Sequence, residues 1–149
     1  MQTLYDSQAK ADILRRLSNL QPSSPRQWGK MTVAQMLAHC AAAVEVPCGD
    51  RLEQQVFIGR MFGRLALIPV LGAKPMTRNA PTSAALRVED QRDFAKERER
   101  LTELVERFCA RGSAAAEGVA HSFFGRLTGQ QWGCLVYKHL DHHLRQFGA

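Results

Sequence analysis

The 149-residue sequence has no run of uninterrupted apolar residues long enough to span a bilayer, which excludes a transmembrane helix. Its first residues, M-Q-T-L-Y-D-S-Q, offer no basic stretch followed by an apolar one, so no secretory signal is expected and the expected location is cytoplasmic. The four cysteines, Cys40, Cys48, Cys109 and Cys134, show no C-x-x-C spacing, and three lie in apolar segments. Packed, reduced thiols fit that pattern better than a disulfide framework or a cysteine zinc site. A β-hairpin signal, a convincing alternating strand and an internal repeat are all lacking, which argues against sheet and solenoid architectures.

One charge sign is scarce in one place. Arg51 to Arg87 holds six basic residues and a single acid, Glu53, and so contributes five of the six excess positive charges. A basic patch alone, without aromatic or groove-reading elements, does not make a nucleic-acid binder. Neither nucleic acid nor a membrane is expected as partner. The patch reads as a solvated helix face or, more sharply, as a surface for an anionic small-molecule substrate or an acidic partner.

What is present is helical periodicity. Ser7 to Leu20 places Ile13, Leu14, Leu17 and Leu20 on one face ahead of Pro22 and Pro25. T-V-A-Q is a capping box that opens a helix from Thr32 to about Val46, closed by Pro47 and Gly49. Arg51 to Leu71 is helical but broken by Gly59, Gly63 and Pro69, with Arg60 and Arg64 one turn apart. Gly72 to Ser83 reads as a loop or crossover. Glu89 to Arg111 is strongly amphipathic, and a second capping box, Thr128 to Gln131, starts a helix from about Gly129 to Phe147 with Gly148 as its C-terminal cap. These elements predict one all-α domain, a four-helix bundle with a long crossover connection and an extra short broken helix.

The last helix carries three of the five histidines. At 100° per residue, Trp132, Leu135, Val136, His143 and Gln146 fall within about 40° of His139, so His139 and His143 point into the bundle one turn apart. Two imidazoles buried side by side need partners for their nitrogens and repel when protonated, difficulties that a shared cation removes. His142 lies about 60° to the other side. His39, about 100° from the centre of its helix's apolar stripe, is the candidate third ligand, at the margin of the core on the wall of an open cleft. Three histidines leave coordination positions free, as a catalytic metal site requires. His121 reads as a loop hydrogen-bonding residue, and Asp141 faces away from His139.

The segments W-G-K-M-T-V-A-Q-M-L-A-H, K-P-M-T-R-N-A-P-T, H-S-F-F-G-R-L and W-G-C-L-V-Y-K-H-L-D-H-H-L-R-Q-F resemble the DinB/YfiT-like four-helix-bundle superfamily, along nearly the whole chain. The resemblance implies a divalent metal (zinc, nickel or iron) held by His39, His139 and His143. It further implies thiol-dependent transferase or hydrolase-like chemistry, with a low-molecular-weight thiol bound as thiolate. In that reading His142 is the acid-base candidate, and Arg60, Arg64 and Arg78 hold the carboxylates of thiol or substrate. The chain departs from the superfamily at two points. Arg145 is one residue out of register with the H-H-R-G-Q pattern, and Ser122 stands where H-P-x-F-G has proline, which predicts a looser loop around His121. The competing expectation is a non-catalytic bundle that acts as a homodimer or through another partner, with Val56 to Leu71 as the interface.

Overall fold

In a computed structural model, which describes residues 2–80 and 83–149, the chain is mostly helical. In order along the chain come α1 (Ser7–Asn19), α2 (Val33–Cys48), α3 (Phe57–Leu71), a 3-10 turn (Ala84–Leu86), α4 (Phe94–Arg111), a second 3-10 turn (Ser113–Ala116), a two-strand ribbon of β1 (Ala120–His121) and β2 (Gly125–Arg126), and α5 (Gly129–Gln146). Helix α2 packs most extensively on α4 and also meets α5, while α1 contacts both α4 and α5. Between them lie Ile13, Leu17, Met36, Leu37, Leu101, Val105, Leu140 and Leu144, all essentially without exposed surface. Helix α3 stands apart and touches α5 and β2.

Both capping boxes form. Thr32 and Thr128 each accept the backbone N–H of the glutamine three residues on, at 3.2 Å, and each donates its own N–H to that glutamine's side chain at 2.9 Å. Such a cap stabilises a helix start by about 1 kcal/mol. At the other end of α5, Gly148 takes the left-handed conformation (φ 73°). Its N–H bonds the Arg145 carbonyl, and the Ala149 N–H reaches back to Leu144. This is the Schellman closure, which holds the final turn that carries His143.

Several expectations need correction. The strand pair was not foreseen, because two-residue strands are too short to show alternation; Ala120 pairs with Arg126 and His121 with Gly125, antiparallel. Helices α2 and α3 run through Pro47 and Pro69. Each proline sits in a last turn, where it removes one N–H and leaves the ladder behind it intact. Burial of Val46 and Cys48 favours that extra turn of α2. Helix α4 begins at Phe94 because Asp93 caps it, accepting the Lys96 N–H at 2.9 Å. The cysteines are free, and Cys40, Cys48 and Cys134 are buried. No helix among the described residues is long and apolar enough to cross a membrane.

Candidate metal centre

The inward stripe of α5 delivers His139 and His143 to the same place as His39 of α2. One ligand nitrogen from each of the three lies within 4.8 Å of the others. His39 Nε2 is 3.0 Å from His139 Nε2. Three imidazoles about one tetrahedral ion, at metal–nitrogen distances of about 2.0–2.1 Å, would hold their nitrogens roughly 3.3 Å apart. The His39–His139 pair is at about the spacing an ion needs, and the remaining pairs lie within 4.8 Å.

His39 is buried (3% exposed), whereas its helical position predicted a place at the margin of the core. The 3-10 turn at Ala84–Leu86 packs on α2, and the Leu86 carbonyl sits 2.8 Å from His39 Nδ1. A carbonyl only accepts, so Nδ1 carries the proton and Nε2 presents a lone pair to the cluster. His143 is set the same way by another device. Its Nδ1 lies 2.8 Å from Gln146 Oε1, and the Gln146 amide is oriented because its nitrogen donates to the Trp28 carbonyl at 2.8 Å. With oxygen toward His143, the amide accepts the Nδ1 proton and leaves His143 Nε2 unprotonated.

Gly29 makes that arrangement possible. It holds φ +80°, and a Cβ there would stand 2.4 Å from the Gln146 amide nitrogen. Only glycine combines this backbone conformation with that approach.

The electrostatics keep all three rings neutral. Burial, followed by the charge of His39, pushes His143 down to about 3. Burial lowers His39, partly opposed by its bond to Leu86. His139 lies well below its usual range through burial and then through His143 and His39. A neutral imidazole is the form that ligates a metal. The three-histidine group can thus hold a metal ion, and His139 is the one of the three with partly open surface.

His142 is half-buried beside the cluster. Its ring meets His143 edge to face at 5.0 Å and Trp28 at 5.4 Å. Burial lowers its pKa, against an opposing bond from the Met76 backbone. It faces a cleft of about 530 Å³ shared with Trp28, Met76, Arg78 and Arg145, and the Arg78 guanidinium stacks over the Trp28 ring at 4.2 Å. A larger hollow of about 740 Å³, between Arg15, Arg16 and Arg145, is lined by no histidine and is walled by ion pairs, whereas the smaller cleft is lined by His142, the neighbour of His143.

The arginines separate. Arg78 lines the cleft beside His142, whereas Arg60 and Arg64 are exposed on α3 and do not line it. The cause is the docking of α3 through Gly59 and Gly63, which turns the arginines outward. Arg145 pairs with Asp141 at 3.0 Å, and Asp141 faces α1, away from the cluster, as its helical position predicted.

His121 accepts the backbone N–H groups of Phe123 (3.0 Å) and Phe124 (3.3 Å) at Nδ1, the loop role read from the sequence. That loop is pinned, contrary to expectation. Ser122 donates its N–H to Glu53 at 2.9 Å, a bond that a proline could not make, and its carbonyl accepts the Val56 N–H at 2.8 Å.

Residues 3–149 match the model of a family described as protein of unknown function, DUF1569. The chain belongs to the DUF1569 family. Comparison with curated proteins and comparison with solved structures both give no match. The parts of the site not foreseen were Leu86, Trp28 and Gly29. The glycine of W-G is the one sequence signal that could point to them, since a loop glycine can mark a left-handed turn.

Proposed function

We propose that this DUF1569 chain is a divalent-metal-dependent enzyme of the DinB/YfiT-like kind, with His39, His139 and His143 as ligands. The mutual packing of α1, α2, α4 and α5 supports reading the fold as that superfamily's four-helix bundle. One observation carries the functional reading. Leu86 and Gln146 each take the Nδ1 proton of a histidine, so that two unprotonated Nε2 atoms are aimed at a point shared with His139. A ligating histidine usually donates its outward N–H to such an acceptor, which fixes the ring and leaves the inward nitrogen free for an ion.

Zinc, nickel and iron all suit imidazole ligands. Such a metal, when bound, lowers the pKa of a coordinated water or thiol and polarises an electrophile. The chain's own residues would do the rest. Arg78 on Trp28 offers a cation and an aromatic face to an anionic substrate or to the carboxylate of a low-molecular-weight thiol. His142, held neutral by burial at the cleft wall, is placed to accept a proton from a group bound there.

The test is a panel of thiol-transfer and ester-hydrolysis assays on zinc-, nickel- and iron-loaded protein. The expected result is metal-dependent turnover that His142→Ala reduces about 100-fold or more. Metal-loaded protein inactive across the panel, or turnover indifferent to His142, would count against the assignment.

A further inference from the structure

Helix α3 is docked by its small residues. A Cβ at Gly59 would fall 2.4 Å from the Phe123 carbonyl oxygen and one at Gly63 2.1 Å from it, so both positions must be glycine for α3 to lie against the β1–β2 turn. The Val56 N–H bonds the Ser122 carbonyl and fixes the entry to the helix. With Gly59, Gly63, Leu67 and Leu71 buried on its docked face, helix α3 cannot rotate to bury its other large side chains. Phe57 (74% exposed), Ile58 (62%), Met61 (59%), Phe62 (53%), Leu65 (69%) and Ile68 (71%) face outward.

Together these six expose on the order of 800 Å² of apolar surface, which exceeds the largest patch of an ordinary monomer and equals what each partner gives to a standard interface. The pattern within the patch is narrower than its area suggests. Ile58, Met61, Leu65 and Ile68 are spaced by three, four and three residues, the a/d ridge of a helix that pairs with another helix. Phe57 and Phe62 flank that ridge. Arg64 and Arg60 follow on one side only, about 80° and 120° from the ridge, while Ala66 borders the other. A bilayer-seated helix carries cations along its whole polar face.

We infer that the outward face of α3 is a self-association surface, on which the α3 of a second copy of this chain packs to form a symmetric dimer. A twofold interface needs one self-complementary patch, and a two-heptad ridge flanked by aromatic rings meets that requirement. Arg60 and Arg64 stay at the rim, where those of the two copies repel across water and salt screens them. The inference stands independently of the metal centre.

Sedimentation equilibrium of the full chain tests it. The expected result is a dimer at micromolar concentration that is tighter in about 0.5 M than in about 0.05 M salt. Leu65→Glu and Ile58→Lys should each raise its dissociation constant roughly 30-fold or more, with an unchanged far-UV spectrum. Both residues are exposed, so the fold survives the change. A wild type that stays monomeric to about 100 µM overturns the inference, as does a dimer that both substitutions leave intact. Cosedimentation of a monomer with phosphatidylglycerol-containing vesicles, weakened by salt, would instead assign the face to a membrane surface.

Discussion

Helix α5 holds polar side chains in the interior on two sides, and the two sides are built on opposite principles. Toward α1, Asp141 accepts from Arg16 at 2.8 Å, and Arg16 also donates to Asp12 and to the carbonyls of Asp141 and Ala149. Donors there meet acceptors and the charges balance. Toward α2, three bases are turned toward one another, with the protons of two drawn off behind them and no acid among them. The first arrangement is complete as a structure. The second presents electron pairs to a common point and is complete only with a proton or a cation there.

Breaking the first side should hurt the fold most. Removing one member of a buried ion pair leaves the other desolvated and unpaired, which costs about 3–5 kcal/mol. Arg16→Met is therefore expected to destabilise by about 3 kcal/mol, since Arg145 still serves Asp141, and to lower the melting temperature by roughly 10 °C in a calorimetric scan. The same substitution should leave metal affinity unchanged. A loss of metal binding would show that the two sides are not separate.

Between pH 7 and pH 5 acid should act on the second side, because carboxylates such as Asp12 of the first titrate lower. The unfolded chain takes up a proton on His143 below its ordinary value of 6.5, whereas the folded chain resists until about 3. The unfolded state thus binds more protons in that window, so stability is full above pH 6.5 and declines as pH falls through it. For the metal-free chain the loss from His143 is on the order of 2 kcal/mol by pH 5. Urea unfolding midpoints at pH 7 and pH 5 check this, and His143→Ala should reduce the dependence without abolishing it, because His39 and His139 are lowered as well.

A smaller change sharpens the comparison further. Gln146→Leu removes the acceptor behind His143 and leaves the Trp28 carbonyl without its donor, so metal affinity should fall about 10- to 100-fold. Competition against a chromophoric chelator reads this directly. The smallest expected effect is that of His139→Ala on the metal-free fold, about 1 kcal/mol by urea unfolding, because His139 is partly exposed and the bond it loses is the single one to His39 Nε2.

The inward direction of His139 and His143 was legible from the 100° rotation per residue, because α5 is a straight helix with two well-formed caps. The burial of His39 was not, since it depends on a turn 47 residues away whose backbone oxygen, not its side chain, does the work. Backbone acceptors leave no trace in residue identity. The orientation of α3 was half legible. Its two glycines looked like interruptions of a helix, and only the Phe123 carbonyl they face shows that they are its contact surface. The basic patch misled for the same reason, because Arg60 and Arg64 follow that surface outward while Arg78, in the crossover, reaches the cleft.

The three-histidine side of α5 has the donor set of a cation site. Calorimetric titration of the metal-free chain with zinc at neutral pH tests it most directly. One zinc per chain is expected, abolished in His143→Ala and in His39→Ala with the helical spectrum retained. Binding of less than about half an equivalent, or binding that survives both substitutions, would contradict it.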